Sequence, residues 1–514
     1  MKKGKVYLVG AGPGDPGLFT LKGKKVLEEA DVVIYDYLAN PRLLDFCKEE
    51  AEKIYVGKKA GAHTLPQEEI NKLIVKKAKE GKIVVRLKGG DPFLFGRGGE
   101  EAEALVEENI SFEVVPGITS AIAVPAYAGI PVTHRDYTST LAIITGHEAE
   151  NKEESKIDFS ALSKIGTLIF LMGVKNLPYI AKRLIEEGKN SNTPVAVIQW
   201  GTIPKQKTAT GTLENIAEKV KEKGITAPAI IIIGEVVKLR EKFNWFETKS
   251  LFGKKIIITR TREQASKLVE KLEELGAICY EIPTIKVEPL LNEKVFQTIE
   301  ELSKYDWIVF TSENGVKIFL KTLWEKGKDL RTLGGLKIAV IGKATKNVLE
   351  NYGIFPDLIP EKDYTQEGLV SAFSKLDLKN KYILIARAKE AREVLPEKLR
   401  ELEAKVEVLP IYETKICEES KEKLKEILKE GVDLITFTSS STVKNFFKLI
   451  KNAEKEQLKN IIFVSIGPIT SSTLKEFGFE PHIEAEEYTI EGLVRAIENY
   501  FSKSEGGVKS ERGS

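Results

Sequence analysis

The sequence predicts an α/β protein of at least two domains, built on mainly parallel strands. Short apolar runs such as "DVVIYD", "TLIFLMG" and "PAIIIIGE" alternate with amphipathic stretches such as "EEINKLIVKKAKEG". Apolar runs of strand length between helical patterns are typical of a sheet covered by helices. A chain of 514 residues, 42% hydrophobic and 30% charged, is long enough for several such domains.

The alternation of runs lapses once, which marks a domain boundary. After residue 240 the chain reads "REKFNWFETKSLFGKK", and a fresh strand then begins with "KIIITR". We therefore expect one domain over residues 1–246, a linker over 247–253 and a second domain over 254–503. The last residues carry no apolar periodicity, so 504–514 are predicted to form a disordered tail.

The second domain contains an internal repeat. "DWIVFTSENGVKIF" at 306–319 matches "DLITFTSSSTVKNF" at 433–446, and a later pair of segments aligns Gly342 with Gly467. The spacing of the copies is longer than that of a solenoid repeat. The repeat therefore predicts two similar α/β lobes, with a ligand cleft lined by loops at the carboxyl ends of their strands.

Composition argues against several classes of protein. Three cysteines and four histidines are scattered without disulfide or zinc spacing, so no metal site is predicted. Balanced charge, with 78 basic and 76 acidic residues, argues against a surface that coats nucleic acid. No apolar run is long enough for a membrane span or a signal peptide. We expect a cytoplasmic protein that binds neither nucleic acid nor membrane.

The first loop, "VYLVGAGPGDPG" at 6–17, has the glycines of a nucleotide loop without its phosphate-binding features. The third glycine of the dinucleotide pattern is replaced by Asp15, which would repel a pyrophosphate. Pro13 contributes no N–H, and no Lys-Ser/Thr pair closes the run as a P-loop requires. A nucleoside with a cationic end suits this loop better, and S-adenosylmethionine has that property.

Three more glycine-rich segments follow: "GKKAGAHTLPQEEIN" (57–71), "VRLKGGDPFLFGRGGEE" (85–101) and "VVPGITSAIAVPAYAGIPVTHRD" (114–136). With "ITGH", "LMGV" and "QWGT" further on, residues 4 to about 240 resemble a uroporphyrinogen-III C-methyltransferase of the tetrapyrrole methylase family. The resemblance implies two α/β lobes that hold S-adenosylmethionine at their junction beside the porphyrinogen, and a homodimer formed through this half.

The resemblance also implies site residues, matched motif by motif. Asp36 in "IYDYL" corresponds to a proposed base and Lys58 in "VGKKAG" to a proposed acid. The expected cofactor contacts are Pro13, Gly89, Gly90, Asp91, Leu94, Thr119, Ser120, Met172 and Gly201. Because the substrate is rich in carboxylates, Lys59, Arg97 and Arg135 are further candidates to bind it.

Simpler roles remain open for several of these residues. Asp36 could cap a helix that follows its strand, Lys58 could be a solvated charge, and Met172 could belong to the core. His63, His134 and His147 are interpreted as structural or pocket-wall residues.

Residues 254 to about 500 resemble uroporphyrinogen-III synthase, through "FTSENGV", "LPIYET", "FTSSSTV" and "SIGPITSSTLKEFG". The resemblance implies a crossed repeat, with lobes 254–287 plus 412–503 and 288–411, and a reaction that needs no cofactor. Tyr412 corresponds to a tyrosine proposed as a weak acid. Candidates to meet the substrate carboxylates are helix starts at Ser312, Ser439 and Thr470, and the strand-end residues Arg260 and Arg387. Serine and threonine at such positions are also common helix N-caps.

The two resemblances together imply a bifunctional enzyme. The synthase half would cyclise hydroxymethylbilane to uroporphyrinogen III, and the methylase half would methylate it at C2 and C7 to give precorrin-2. Two alternatives remain: a methylase that acts on another acceptor, and a C-terminal half that binds a ligand without catalysis.

Overall fold

Four five-stranded sheets with accompanying helices make up the described fold. The computed structural model describes residues 4–57, 65–146, 157–259, 262–361, 363–450 and 456–509, and only the backbone is considered for 262–266 and 503–509. The chain divides into two compact units. One comprises the described parts of 1–256, 269–279 and 497–514, and the other those of 257–268 and 280–496.

The first sheet is parallel throughout. Its strands are β1 (Lys5–Gly10), β2 (Val32–Tyr35), β3 (Glu52–Tyr55), β4 (Ile83–Lys88) and β5 (Ser111–Val115), in the order β3-β2-β4-β1-β5. The helices of this part are α1 (Leu21–Glu29), α2 (Gln67–Lys79) and α3 (Gly98–Glu107). Val6 and Leu8 belong to one apolar cluster and Val9 to another, so the sheet is buried on both faces. Burial on both faces explains why its strands read as continuous apolar runs.

The expectation of mainly parallel strands is confirmed in the first sheet, and the second sheet is the exception. The elements are α4 (Ser120–Tyr127), β6 (Leu141–Thr145), α5 (Phe159–Ser163), β7 (Thr167–Leu171), α6 (Leu177–Glu186), β8 (Pro194–Gln199), β9 (Lys207–Thr212), α7 (Ile216–Glu222), β10 (Ala229–Ile233) and α8 (Arg240–Phe243). The strand order is β6-β7-β10-β8-β9, and only β6 and β7 pair in parallel. An apolar run indicates burial but not direction, and the short connection from β8 to β9 permits only an antiparallel pair.

The predicted linker is packed onto the first unit. Leu251 is fully buried, and its N–H donates to the Leu275 carbonyl oxygen at 2.9 Å. The Phe246 and Phe252 rings lie in edge contact, 5.4 Å apart. The division between the compact units therefore does not fall at 247–253. Local composition indicated a break in the secondary structure, and it could not show that apolar side chains within the break are buried.

The second half of the chain forms the third and fourth sheets. Its elements are β11 (Lys255–Ile258), α9 (Arg262–Glu274), β12 (Ile278–Glu281), β13 (Ile285–Pro289), α10 (Glu293–Glu300), β14 (Trp307–Phe310), α11 (Glu313–Glu325), β15 (Lys337–Val340), α12 (Lys343–Asn351), α13 (Gln366–Phe373), β16 (Tyr382–Ala388), α14 (Val394–Glu401), β17 (Lys405–Ile416), α15 (Glu419–Lys429), β18 (Leu434–Phe437), α16 (Ser440–Leu449), β19 (Ile462–Ser465), α17 (Pro468–Glu476), β20 (Ile483–Glu484) and α18 (Ile490–Lys509). The strand orders are β12-β11-β18-β19-β20 and β13-β17-β16-β14-β15. The chain therefore leaves the third sheet after β12, builds the whole fourth sheet, and returns.

The boundary between these lobes differs from the predicted one by a few residues. β13 and β17 pair antiparallel from Ile285 opposite Ile416 to Pro289 opposite Tyr412. Residues 285–287 and 412–416 therefore belong to the fourth sheet, although the resemblance to uroporphyrinogen-III synthase implies that they lie in the other lobe. Repeat similarity locates matching segments, but it does not show how far a strand pair continues between lobes.

The C-terminal end also differs from its prediction. Helix α18 continues to Lys509, so residues 504–509 are helical rather than disordered, and 510–514 lie outside the described residues. Extending an existing helix is cheap, because each added residue brings one hydrogen bond without a new nucleation cost. No helix in the described part of the chain is both long and apolar enough to cross a membrane. The described ranges also contain no cluster of His, Cys, Asp and Glu side chains fit to hold a metal ion.

Candidate active sites

Three glycine loops that follow strands of the first sheet meet at one point. Gly12, after β1, and Gly90, after β4, exchange backbone hydrogen bonds with N···O distances of 3.2 and 2.7 Å. A β-carbon on Gly117, after β5, would lie 2.2 Å from the Gly90 carbonyl oxygen and 2.6 Å from the Gly10 α-carbon. Only glycine fits this contact. The loops therefore present bare backbone at the carboxyl edge of a parallel sheet, where α/β proteins bind ligands.

Unfavourable backbone conformations are concentrated in the loops near this point. Phe95 and Arg97 follow β4, Met172 follows β7, and Trp200 and Thr202 follow β8, and all five have φ between 50° and 71°. Residues other than glycine rarely adopt this left-handed region. Such conformations persist where the surrounding structure enforces them, and they cluster at ligand sites. Their distribution favours a site formed by loops of both the first and the second sheet.

Eight of the nine residues predicted to contact the cofactor lie in these loops, and the ninth, Ser120, begins the helix that follows one of them. Met172 is 52% exposed, so the alternative that it belongs to the core is wrong. The Thr119 hydroxyl caps α4 by accepting from the Ala121 N–H at 3.2 Å, and Ser120 is the first residue of that helix. Gly201 is pressed against Val124, whose side-chain carbon would lie 2.4 Å from an added β-carbon.

Asp91 connects two of the glycine loops. Its Oδ1 accepts from the N–H groups of Phe93 and Leu94 at 2.8 and 3.0 Å, and its Oδ2 accepts from the Gly117 N–H at 3.0 Å. Both carboxylate oxygens are thus engaged by the backbone.

Asp15 connects the first loop to the loops of the second sheet. Its Oδ1 accepts from the Gly17 N–H and its Oδ2 from the Tyr127 hydroxyl, both at 2.7 Å. Its own N–H donates to Thr202 Oγ1 at 3.1 Å. Burial, and then the bond to Asp15, raise the pKa of Tyr127. The sequence pattern indicates only the charge of Asp15, whereas its contacts make it a structural link. The same pattern gives no indication of Tyr127 or Thr202.

The loops fit S-adenosylmethionine better than a phosphate-bearing nucleotide. The carboxylates of Asp15 and Asp91 place negative charge in the glycine loops, which favours a cationic group over an anionic one. Pro13 offers no N–H to a phosphate. Apolar surface for an adenosine is available nearby, since Leu38, Ile122 and Met172 are each about half exposed.

Asp36, the predicted base, lies just after β2 with 27% of its side chain exposed. Its Oδ1 accepts from the Leu38 N–H and its Oδ2 from an Arg86 guanidinium N–H, both at 3.2 Å. The alternative role as a helix N-cap is wrong, because Asn40 caps the helical turn that follows. The carboxylate is therefore both oriented and accessible to a ligand.

A cluster of buried charges supports Asp36. Arg86, Lys88 and Glu101 are each at most 4% exposed. Arg86 Nε and Lys88 Nζ both donate to Glu101 Oε1, at 3.0 and 2.8 Å, while Glu101 Oε2 is buried without a hydrogen-bond partner in the described structure. Burial, and then repulsion by Arg86, lower the pKa of Lys88. None of the predicted site residues belongs to this cluster, although "RLK" at the end of an apolar strand places two cations on one face.

Of the residues in the first half that are predicted to bind substrate carboxylates, the structure describes two. Lys58 and Lys59 lie outside the described residues. Arg97 is exposed, and its Nε and an NH2 group donate to the two carboxylate oxygens of Glu100 at 2.9 and 2.6 Å. Arg135 is exposed in the turn between α4 and β6.

In the second half, Tyr412 and Ser312 are brought together. Their hydroxyl oxygens lie 2.8 Å apart, although 100 residues separate them in sequence. Tyr412 is 6% exposed, and its burial raises the pKa of the phenol. Ser312 also caps α11 by accepting from the Gly315 N–H at 3.1 Å. The phenol is therefore protonated at neutral pH and held by a fixed partner.

The other residues of the second half that are predicted to bind substrate carboxylates are either a helix cap or buried, where the structure describes them. Ser439 caps α16 through the Thr442 N–H, and Thr470 is 4% exposed in the first turn of α17. Arg387 is not a free clamp, because it is 4% exposed, pairs with Glu393 and donates to the Arg392 carbonyl oxygen at 2.7 Å. The position of Arg387 at the end of a strand indicated access to a ligand, but residues 392 and 393, which follow the strand, cover its side chain. Arg260 lies outside the described residues.

Two family models match the chain, one in each half. Residues 5–217 match the family model described as Tetrapyrrole (Corrin/Porphyrin) Methylases. Residues 266–495 match the model described as Uroporphyrinogen-III synthase HemD.

Relatives differ in how much of the chain they cover. "Porphyrin biosynthesis protein HemD" of Ruminiclostridium josui is 42% identical over 497 residues, which are 96% of this chain and 97% of that protein. "S-adenosyl-L-methionine-dependent uroporphyrinogen III methyltransferase" of Methanosarcina barkeri is 59% identical over 239 residues, 46% of this chain and 94% of that protein. A crystal structure of uroporphyrin-III C-methyl transferase from Thermus thermophilus with S-adenyl homocysteine is 41% identical, covers 46% of this chain and 99% of its own, and has a TM-score of 0.40. The chain belongs to the family of proteins that join a tetrapyrrole methylase to a uroporphyrinogen-III synthase.

Proposed function

We propose that this chain is a bifunctional enzyme of tetrapyrrole biosynthesis that cyclises hydroxymethylbilane to uroporphyrinogen III and methylates it at C2 and C7, giving precorrin-2. The observation that carries the proposal is the presence of both families in one chain, together with a relative that matches 96% of it. The product of a uroporphyrinogen-III synthase is the substrate of a uroporphyrinogen-III methyltransferase, so the two activities are consecutive.

In the methylase half, the loops after β1, β4, β5, β7 and β8 bind the methyl donor. S-adenosylmethionine, when bound, supplies a methyl group on a cationic sulfur. Holding the acceptor carbon in line with that group provides most of the acceleration of such a transfer. Gly90 and Gly117 allow the backbone to approach the ligand, and Met172 covers it with a flexible thioether.

Asp36 acts as the base of the methyl transfer. The methylated ring system must lose a proton, and a carboxylate within reach accepts it. The Leu38 N–H and Arg86 hold this carboxylate by one hydrogen bond to each oxygen. Each oxygen retains a free lone pair for the proton.

In the synthase half, Tyr412 donates a hydrogen bond to the hydroxyl group that leaves hydroxymethylbilane. Burial keeps the phenol protonated, which this role requires. Backbone N–H groups at the starts of α11, α16 and α17 meet carboxylates of the substrate, because helix N-termini favour anions. The hydroxyls of Ser312 and Ser439 accept from the third N–H group of their helices, at Gly315 and Thr442, and leave the first two N–H groups to the ligand.

The proposal also includes a homodimer formed through the methylase half, and a cytoplasmic location. Large apolar side chains are exposed in the loop after β4 of this half, at Phe93 and Phe95. Light scattering on the purified chain measures the mass of the particle; the mass of one chain would contradict the dimer.

The test supplies each substrate separately to the full-length chain. With hydroxymethylbilane alone we expect uroporphyrinogen of the type III isomer, whereas spontaneous closure gives type I. With uroporphyrinogen III and S-adenosylmethionine we expect a reduced tetrapyrrole that carries two additional methyl groups. A type I product in the first assay would favour a non-catalytic C-terminal half. Preference for another acceptor, in competition with uroporphyrinogen III, would overturn the assignment of the methylase substrate.

A further inference from the structure

The loop that carries Gly201 is held by a chain of hydrogen bonds that begins outside the cofactor motifs. Thr202 has φ of 71° and is 2% exposed, a costly conformation for a β-branched residue. Its N–H donates to Gln206 Oε1 at 3.0 Å, and its hydroxyl accepts from the Asp15 N–H at 3.1 Å. Thr202 thus connects the loop after β8 to the loop after β1, and Gln206 holds Thr202.

Two acceptors orient the Gln206 amide, Glu247 and, at the longer distance of 3.4 Å, the Tyr127 carbonyl oxygen. Gln206 Nε2 donates to Glu247 Oε1 at 2.8 Å. A carboxylate can only accept hydrogen bonds, so it selects the NH2 end of the amide and turns the carbonyl oxygen toward Thr202. With Gln206 4% exposed and the Glu247 side chain 16% exposed, water competes weakly for these groups. Glu247 is itself fixed by Arg240 and the Thr208 hydroxyl.

A second route joins the same stretch of chain to Asp15. Residues 244–253, here named the connecting segment, lead from α8 toward β11. The Trp245 and Phe246 rings contact the Tyr127 ring at centroid distances of 4.9 and 4.8 Å, and the Tyr127 hydroxyl donates to Asp15 Oδ2. The connecting segment therefore supports both sides of the link between Asp15 and Thr202.

From these contacts we infer that Glu247, in the connecting segment, is a positioning residue for the S-adenosylmethionine site of the methylase half. It acts through Gln206, which keeps Thr202 in its left-handed conformation and so holds the Gly201 and Pro13 loops at the spacing that the cofactor needs. The segment that leads from the methylase part of the sequence to the synthase part thus sets the affinity for the methyl donor. The inference rests on the proposed function only for the identity of the cofactor.

The test measures binding of S-adenosylhomocysteine to the full-length chain by calorimetry. Glu247→Ala is expected to weaken binding about tenfold, the effect of one lost hydrogen bond to a partly buried charged group. The same variant should raise KM for S-adenosylmethionine and leave KM for uroporphyrinogen III and the rate of hydroxymethylbilane cyclisation unchanged. Glu241→Ala, which removes an exposed carboxylate six positions earlier, is the matched control and should bind normally.

A second variant covers the case in which Glu247→Ala folds poorly. Gln206→Met removes the acceptor of the Thr202 N–H and leaves Glu247 with Arg240, so it should weaken binding by the same factor. Because both residues act through one hydrogen bond, the double variant should bind no more weakly than either single one. Independent structural damage would make the two losses multiply.

Three outcomes would overturn the inference: unchanged affinity in folded Glu247→Ala, an equal loss in Glu241→Ala, or multiplied losses in the double variant. The proposed function fails separately. If the wild-type chain binds S-adenosylhomocysteine and the variants weaken it, but uroporphyrinogen III is not methylated, the acceptor is wrong and the inference holds. A wild-type chain that binds no S-adenosylhomocysteine would overturn both.

Discussion

Asp36 and Tyr412 are each held by a side chain that is remote in sequence. Arg86 lies 50 residues from Asp36, and Ser312 lies 100 residues from Tyr412. Motifs could suggest Asp36 and Tyr412, because both stand in short recognisable stretches. The pairing of Arg86 with Asp36 follows from strand order, which places β2 beside β4, whereas β16 lies between β14 and β17, so Ser312 reaches Tyr412 only from the loop after β14. Arg387 fails as a predicted clamp for the same reason, since no local pattern shows that Glu393 covers it.

Asp36→Asn should lower the rate of methyl transfer about 100-fold or more, because the amide cannot accept the proton. The amide oxygen can still accept from the Leu38 N–H, so binding of S-adenosylhomocysteine should persist. Steady-state assays with uroporphyrinogen III measure the rate, and the exposed Asp136→Asn serves as the control. Full activity in Asp36→Asn would show that another group accepts the proton.

Tyr412→Phe should slow cyclisation about tenfold or more and raise the share of the spontaneous type I isomer. Since burial raises the folded-state pKa above the ordinary value of 10.0, the phenol keeps its proton in the fold after the unfolded chain has lost it. The contribution of Tyr412 to the free energy of unfolding is therefore fully present below pH 10 and decreases only as the pH rises further. Between pH 7 and 10 the rate of cyclisation should therefore depend on pH in the same way in the wild type and in Tyr412→Phe. Tyr382→Phe, at an exposed tyrosine, is the control.

At the scale of elements, the three glycine loops form one unit because each strand of the first sheet ends at the same edge. Gly117→Ala should abolish cofactor binding, since its β-carbon would lie 2.2 Å from the Gly90 carbonyl oxygen. Gly99→Ala in α3 meets no atom within 4 Å and should bind normally while stabilising the helix by up to about 1 kcal/mol. Calorimetric titration with S-adenosylhomocysteine distinguishes them. If Gly117→Ala and Gly99→Ala bound S-adenosylhomocysteine with equal affinity, the close contact of the glycine loops would not be required for binding.

The contact between β4 and α3 predicts unequal effects at two neighbouring carboxylates. Glu101→Ala leaves Arg86 and Lys88 buried without their shared acceptor, and should lower the free energy of unfolding by about 3–5 kcal/mol. Glu100→Ala removes an exposed ion pair with Arg97 and should cost less than about 1 kcal/mol. Denaturant titration of both variants measures the difference. Similar costs would contradict the buried network.

Sequence patterns predicted these elements better than their directions and connections. Runs such as "KIVVRLK" and "PAIIII" are strands in the structure, because burial on both faces selects continuous apolar residues. The antiparallel direction of β10 and the pairing of β13 with β17 depend on contacts that leave no local trace in the sequence.

At the scale of the whole molecule, the chain contains two consecutive enzymes, yet its compact units do not divide where the sequence changes. Residues 269–279 and 497–509 belong to the same unit as the methylase part. The full-length chain is therefore the appropriate object for every assay, with one half inactivated by a point variant. Asp36→Asn should accumulate uroporphyrinogen III from hydroxymethylbilane, and Tyr412→Phe should still methylate uroporphyrinogen III that is supplied directly.

The most direct test of the bifunctional assignment is the conversion of hydroxymethylbilane by the purified wild-type chain in the presence of S-adenosylmethionine, followed by chromatography and mass spectrometry. The account predicts a single reduced tetrapyrrole of the type III series with two added methyl groups, and unmethylated uroporphyrinogen III when the methyl donor is omitted. Recovery of uroporphyrinogen I in both reactions, with no methylated product, would contradict it.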